Sequence, residues 1–321
     1  MILLVGILVA WVAFEAWVPI HAWNSVTRVN ATPPVDRPAA GIGSNYILVG
    51  SDSRVGMSEA EQNVLSTGPD EDGGQRTDSI ILVHRSESGP SSMVSIPRDS
   101  YVQIPGHGRN KINAAFSLGG PQLLVATIES ATGLRIDGFL EIGFGGFANV
   151  VDSLGGVEVC VPFDMVDERA GINLKAGCQN LDGPNALGYV RARYSDPRGD
   201  IGRAERQRQF LSAIIKKAAT PSTVLIPWRY YGFAMASASG LRVGEDTSLL
   251  ESAAVLQTMR DISNGNGLSM VVPIENPGLN TPVGQAVKWD RERALALFEA
   301  LKQDDSLTAP MSGTDGAPTG Q

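Results

Sequence analysis

A layered α/β domain built on a central sheet, preceded by a membrane-spanning helix, is the fold that the sequence predicts. Three observations carry this. Strand-type and helix-type runs alternate along residues 45–303. Residues Ile2 to Trp23 are almost wholly apolar. No stretch within 45–303 has the composition of a linker that would cut the chain into two domains. At 321 residues, 43 % hydrophobic and 19 % charged, the chain can bury a substantial core, and wholesale disorder is not expected.

About 20 apolar residues span a bilayer as a helix, so residues 1–23 are expected to form a transmembrane anchor, interrupted only by Glu15 and His21. A cleaved signal peptide competes, but the basic leader and a clean small-x-small cleavage site are missing. Arg28 and Arg37 follow the segment and no Lys or Arg precedes it, which taken literally opposes an exported domain. A start site upstream that adds a basic leader would remove the conflict. Residues 24–44, rich in Pro, Ala and Gly from Asn30 on, are expected to be a linker, residues 45–303 the folded domain and residues 304–321 a disordered tail.

Within the domain, Tyr46 to Val49 is a short strand-type run ending in Gly50-Ser51-Asp52-Ser53-Arg54. A polar, Gly-rich loop or lid follows, as far as Gln75. Ser79 to Val83 and Met93 to Ile96 are buried-strand candidates bordered by Arg76, Asp78, Arg98 and Asp99. Pro121 to Thr132 is expected to be a helix, with Pro in its first turn and Gly133 at its end. Phe144 to Leu154 is a second helix, closed by Gly155-Gly156, and Val157 to Val161 a further strand. Ile201 to Ala218 has apolar positions at helical spacing, and Thr247 to Met259 and Asp290 to Leu301 add helices that pack on the sheet.

The net charge of −8 argues against broad binding to nucleic acid. The basic residues comprise 20 Arg and 6 Lys. Arg grips phosphate oxygens in pairs, although a GC-rich genome gives the same skew. Cys160 and Cys178 fall in one short stretch. In an oxidising compartment they would close a loop worth roughly 3 kcal/mol, whereas in the cytosol they would be unrelated thiols. No spacing suggests zinc.

The chemistry concentrates in two basic segments and two carboxylates. If Tyr189 to Arg193 is extended, Tyr189, Arg191 and Arg193 share one face, and two such cations repel unless an anion lies between them. In the helix beginning at Ile201, the inward stripe of Phe210, Leu211, Ile214 and Ile215 continues back into Gln207, Arg206 and Arg203. Buried Arg requires a carboxylate or a bound anion, and the start of a helix favours phosphate. Asp52 and Asp78 each adjoin a strand, and two such carboxylates with substrate phosphates form a Mg²⁺ arrangement; a turn-forming Asp is the plainer alternative.

Six segments, in order, resemble the successive motifs of the LytR-CpsA-Psr family. They are Gly50-Ser51-Asp52-Ser53-Arg54, Arg76-Thr77-Asp78-Ser79, Ser95-Ile96-Pro97-Arg98-Asp99, Lys111-Ile112-Asn113, Val190-Arg191-Ala192-Arg193 and Asp200-Ile201-Gly202-Arg203-Ala204-Glu205-Arg206-Gln207. The resemblance covers roughly residues 45–217. It implies a three-layer α/β/α sandwich with a central mixed sheet, an apolar cavity for a polyprenyl tail and an Arg-rich mouth for its pyrophosphate. It also implies roles. Arg98, Arg191, Arg193 and Asp78 are the expected catalytic residues, and Arg76, Lys111, Arg203 and Gln207 the pyrophosphate-binding residues. Asp52 and Asp78 are the expected holders of Mg²⁺ or Mn²⁺. Where the family often has two Gln, this chain has Gln207 and then Arg208, and Arg208 falls on the outward side of the helix wheel. The further C-terminal domain that members often carry is not expected here.

The activity so implied is an Mg²⁺-dependent phosphotransfer in cell-wall assembly. A glycopolymer moves from its polyprenyl-pyrophosphate carrier to peptidoglycan, outside the cell membrane, with release of polyprenyl phosphate. Three alternatives stand beside it: a hydrolase of the same lipid pyrophosphate, a non-catalytic binder of lipid-linked glycans, and a transcriptional regulator. The last is opposed by the acidic charge, the membrane segment and the lack of a helix-turn-helix signature. The Ala and Gly content and the Cys pair hint at an actinobacterial source and an arabinogalactan-type polymer.

Overall fold

A computed structural model describes residues 2–34, 37–54, 57–68, 76–192, 199–305 and 307, apart from the side chains of 199–201 and 204. The chain opens with α1 (Ile2–Ser25) and β1 (Thr27–Val29), then β2 (Ser44–Ser51), α2 (Glu59–Val64), β3 (Thr77–Arg85) and β4 (Ser91–Ile96). A hairpin of β5 (Tyr101–Ile104) and β6 (Gly108–Lys111) leads into α3 (Ile112–Thr132), β7 (Gly138–Ile142) and α4 (Phe144–Ser153). Four short strands follow: β8 (Val157–Val161), β9 (Met165–Asp167), β10 (Ile172–Leu174) and β11 (Gly177–Leu181). Next come α5 (Gly183–Arg191), α6 (Gly199–Ala218), α7 (Pro221–Val224), α8 (Pro227–Gly240), β12 (Leu241–Gly244) and α9 (Leu249–Ser263). The chain closes with β13 (Gly267–Val271), β14 (Ile274–Thr281), β15 (Gly284–Trp289) and α10 (Arg291–Lys302).

Seven strands form a mixed sheet in the order β1-β12-β7-β2-β3-β4-β13, with β2–β3–β4 antiparallel and β2–β7, β4–β13 and β1–β12 parallel. Period-two alternation sorts its side chains into two layers. Ile47, Val49, Ile80, Leu82, Val94 and Ile96 pack against α3 and α10, while Tyr46, Ile81, Val83 and Met93 face α6 and α9. The α/β/α sandwich is therefore present. Val157 to Val161 is a strand as expected, but it pairs with β11 in a separate ribbon, and Cys160 and Cys178, opposite each other in that register, are joined as a disulfide.

α3 is two helical segments in sequence: Gly119 and Gly120 leave the helical region (φ −148° and 64°), and the second segment starts at Pro121 as expected, with a further segment from Ile112 before the break. The expected stop holds: Gly133 takes the left-handed conformation at φ 71°. α1 is long and apolar enough to cross a membrane as a single-pass anchor. Residues 24–44 are not a free spacer. β1 lies within this stretch and pairs with β12, Arg28 donates to the carbonyls of Gly244 and Thr247, and Arg37 pairs with Glu129 at 2.6 Å. Nor does the tail begin at 304. The buried Asp304 carboxylate accepts from the backbone N–H groups of Glu87 and Ser88 and bonds His84 at 3.0 Å. Apart from Leu307, the remaining tail residues past Asp305 lie outside the described residues.

Candidate functional site

Antiparallel pairing puts the end of β2, the start of β3 and the end of β4 together at one end of the strands, and the motif residues of these strands sit there. At the β2 end, Ser51 Oγ donates to Oε1 of the buried Glu141 at 2.7 Å, and Glu141 is held in turn by Arg242 at 3.1 Å. Asp52 follows and exchanges two bonds with Arg76: its N–H donates to the Arg76 carbonyl, and its Oδ1 accepts from the Arg76 N–H at 2.6 Å. Two residues on, Asp78 accepts from Arg98 Nη1 at 2.5 Å across β3 and β4. Asp99 lies beside Arg98 Nε at 3.4 Å and is paired with Lys111 at 3.1 Å.

The other wall comes from helices. Arg191 is not on a strand as the alternation argument had it. It is the last residue of α5, whose start is capped by Asp182 and which ends at Ala192. A cation at that end suits the helix dipole. Its guanidinium donates to the carbonyls of Leu65 and Ser66 and lies 4.6 Å from the centre of the Phe144 ring. α6 contributes Arg203 and Gln207 to the same opening. The neighbouring Arg206 has a different job. It is 2 % exposed and reaches back to α5, donating to the carbonyls of Tyr189 at 3.3 Å and Ala192 at 2.5 Å. Gln207 adds a bond to the Val190 carbonyl at 3.3 Å. These carbonyls belong to the last turn of α5, where no helical donor remains, so Arg206 acts as a side-chain cap that fixes Arg191 in place.

The result is a polar mouth lined by Asp78, Arg98, Asp167, Arg169, Arg191, Arg203 and Gln207. Two apolar clefts open from it, sharing Asp78 and Gln207. One runs between the sheet and α4, α5 and α6, lined by Leu48, Ile81, Ile142, Phe144, Phe147, Leu187, Val190, Phe210 and Leu211. The other lies towards β13, lined by Ile80, Ile96, Val271, Ile274 and Val287. Burial pushes the Arg191 guanidinium below its ordinary value while Asp78 pulls it back up, so an anion beside it restores what desolvation removes.

The expected residues therefore divide. Asp52, Asp78, Arg98, Arg191, Arg203 and Gln207 come together. Arg76 joins through its backbone while its side chain is exposed, and Lys111 stands behind Asp99. Arg193 lies outside the described residues. Arg208 is corrected: it is half-buried, lines the second cleft and reaches Ser95 Oγ at 3.4 Å, because that face of α6 lies over the end of β4. Sequence reasoning missed Asp167 and Arg169, which the β9–β10 hairpin carries to the mouth, and Arg54, whose charge acts on both Asp52 and Arg191. Arg54 stood within a quoted motif; Arg169 had no local signal.

Asp52 is pushed above the ordinary carboxylate range, first by burial and then, against the lowering pull of its bond to Arg76, by the Asp78 charge. Each of the two carboxylates commits Oδ1 to the bonds above. Among the described residues no group of three or more His, Cys, Asp or Glu forms a closed metal cage. Two mutually repelling carboxylates beside an opening fit a hard divalent ion that takes its remaining oxygens from phosphate and water.

The sequence model of the LytR_cpsA_psr family matches residues 25–261. The probable cell wall biosynthesis protein LcpB of Corynebacterium glutamicum is 43 % identical over 279 residues, covering 87 % of this chain and 66 % of that protein. The polyisoprenyl-teichoic acid–peptidoglycan teichoic acid transferase TagU of Bacillus cereus is 40 % identical over 175 residues, covering 53 % of this chain and 57 % of that protein. The crystal structure of B. subtilis TagV matches with a TM-score of 0.64 at 26 % identity, covering 84 % of this chain and 100 % of that one. The chain thus spans no more than 66 % of the length of these two curated relatives.

Proposed function

The chain belongs to the LytR_cpsA_psr family, and from that premise we propose that it is a phosphotransferase of cell-wall assembly. It takes a glycopolymer from a polyprenyl-pyrophosphate carrier, joins it to peptidoglycan and releases polyprenyl phosphate. The observation that carries this reading is the amphiphilic shape of the site: four arginines, Arg98, Arg169, Arg191 and Arg203, at the mouth of an apolar cleft. A soluble phosphate ester has no use for the cleft, and a neutral lipid has none for the arginines. A lipid pyrophosphate uses both. The names of the relatives, a cell wall biosynthesis protein and a teichoic acid transferase, support the same reaction class.

In the reaction, the oxygen of an acceptor sugar hydroxyl forms a bond to the sugar-proximal phosphorus. The bond from that phosphorus to the bridging oxygen breaks, and polyprenyl phosphate leaves with the electron pair. Arg98, Arg191 and Arg203 bind the phosphate oxygens and hold the reacting phosphorus against the acceptor, where their charge counts most as negative charge shifts onto the leaving oxygen. Arg193 joins them on the motif resemblance. Arg206 and Gln207 orient Arg191 through the end of α5. A carboxylate of the Asp52–Asp78 pair takes the hydroxyl proton. Asp52 and Asp78 would hold Mg²⁺ or Mn²⁺, which when bound supplies charge neutralisation of the pyrophosphate. The phosphoanhydride supplies the driving force, which suits a compartment without ATP.

That compartment is the outer side of the membrane, with α1 as anchor. The Cys160–Cys178 disulfide supports it, since such bonds persist in oxidising surroundings. Arg28 and Arg37, awkward as topology signals, have partners within the folded domain.

The test is phosphate release from a short-chain polyprenyl pyrophosphate by the full chain in detergent, with and without Mg²⁺, beside the Arg191→Ala variant. Metal-dependent turnover lost in the variant is expected. Tight Arg191-dependent binding without turnover, even with acceptor glycan supplied, would make the chain a binding module. No binding at all would overturn the reading.

A further inference from the structure

A second apolar surface, remote from the arginines, takes no part in this chemistry. α1 and α8 pack side by side and run in the same direction, because each leads directly into one of the two neighbouring parallel strands β1 and β12, with Thr27 opposite Arg242. Their rings fix the relative height: Tyr231 stacks 6.2 Å from Trp17 and 6.3 Å from His21. On the outer side of α1 the exposed residues stay apolar past this level. Trp17 and Ile20 are 48 % and 54 % exposed, and the first exposed polar residue is Asn24. By composition, the bilayer that holds α1 therefore reaches the height of Tyr231.

A helix rises about 1.5 Å per residue, so Trp228 lies roughly 4–5 Å from Tyr231 along α8, towards the membrane. The start of α8 and the preceding turn thus sit below the level at which the outer face of α1 becomes polar. Trp228 is 75 % exposed and Leu225 is 54 % exposed. Arg229 is exposed beside them, as is Lys216 near the end of α6.

We propose that the corner formed by α7 and the first turn of α8 is a membrane-inserting wedge, which buries Leu225 and Trp228 in the interfacial layer beside α1 and sets Arg229 and Lys216 against anionic headgroups. The occupant is a bilayer and not a protein partner, because α1 already fixes a membrane at this height. Trp at the interface with flanking Arg and Lys is also the composition such a layer selects. The wedge rests on the reading of α1 as a membrane span. It also has a structural consequence. Phe233 of α8 packs in the cluster that contains Phe147 and Phe210, which line the first apolar cleft. α8 therefore ties the cleft wall to the membrane surface.

Both native cysteines are in the disulfide, so single cysteines can be labelled in the full chain. Leu225→Cys, Trp228→Cys, Val9→Cys and Gln285→Cys each receive an environment-sensitive NBD label, in vesicles containing phosphatidylglycerol with and without nitroxide-bearing lipids. Gln285 lies on the hairpin that follows β13, at the sheet edge opposite β1. Labels at 225 and 228 are expected to blue-shift and to be quenched to an extent approaching that at Val9, while the label at 285 does neither. Trp228→Glu should abolish quenching at 225 and leave that at Val9 intact. Labels at 225 and 228 that behave like 285 while Val9 is quenched would overturn the wedge alone. A label at Val9 that is also in water would overturn the membrane span, and the wedge with it.

Discussion

Arg206→Met tests whether a buried arginine in this site serves the fold or the ligand. Methionine fills much of the same volume and removes the charge and every donor. The guanidinium bonds the carbonyls of Tyr189 and Ala192 at 3.3 and 2.5 Å and stands 5.8 Å from the centre of the Tyr189 ring. Each carbonyl left buried without a donor costs about 1–3 kcal/mol. Relief from burying a guanidinium returns part of that, so the net loss should be about 2–4 kcal/mol. For a chain of this size that corresponds to a melting temperature lower by roughly 3–6 °C. Thermal denaturation of the detergent-solubilised full chain, followed by circular dichroism, measures it. Turnover of lipid pyrophosphate should fall as well, because Arg191 loses its fixed support. An unchanged melting temperature with loss of pyrophosphate binding would refute the reasoning, since the guanidinium would then belong to the ligand and not to α5.

Three further outcomes are expected. Mg²⁺ at about 100 times its dissociation constant should stabilise the chain by about 2.7 kcal/mol, and Asp52→Asn should remove most of that shift in melting temperature. Because burial and then Asp78 push the Asp52 pKa up, the Mg²⁺ effect should fade on acidification at a pH above the ordinary carboxylate value of about 4; an effect undiminished down to that pH would contradict the assignment. Burial alone would raise Asp304, but bonds from His84, Ser86 and Ser88 hold it well below its usual range. Its contribution is therefore fully present above about pH 4 and is lost as the pH falls towards the folded value. Asp304→Asn should cost about 1–3 kcal/mol at neutral pH in chemical denaturation, with the gap to wild type closing in acid. Finally, a Cβ at Gly146 would lie 2.5 Å from the Gly240 carbonyl oxygen, where α4 crosses α8. Gly146→Val should force the helices apart and destabilise the chain by about 1–3 kcal/mol in the same assay.

The alternation of apolar runs was enough to place β2, β3, β4, α4, α6, α9 and α10, because each buries one face and burial leaves a period in the sequence. Motif order located Asp52, Asp78, Arg98, Arg191, Arg203 and Gln207, all but Gln207 within a few residues of an element end. Local reading failed where partners are distant in the chain. Arg191 read as a strand residue because Tyr-x-Arg-x-Arg alternates, yet the Asp182 cap and Pro184 set α5 nine residues earlier. The wheel that turned Arg208 outward assumed one buried stripe, but α6 lies against both the sheet and α5.

By itself the sequence determined the layered α/β class, the apolar first helix, the family and most of the residues at the mouth, since all of these follow from periodicity and short motifs. Only the tertiary structure decided that Arg206 caps a helix while Arg203 faces the opening, that Arg169 arrives from a hairpin, and that α8 stands beside α1. The physical reason is that a charge in a folded protein takes its meaning from the groups around it. Arg206, enclosed between α5 and α6, meets the carbonyls of Tyr189 and Ala192, whereas Arg98, Arg191 and Arg203 line an open polar mouth, and nothing in the local sequence separates the two settings.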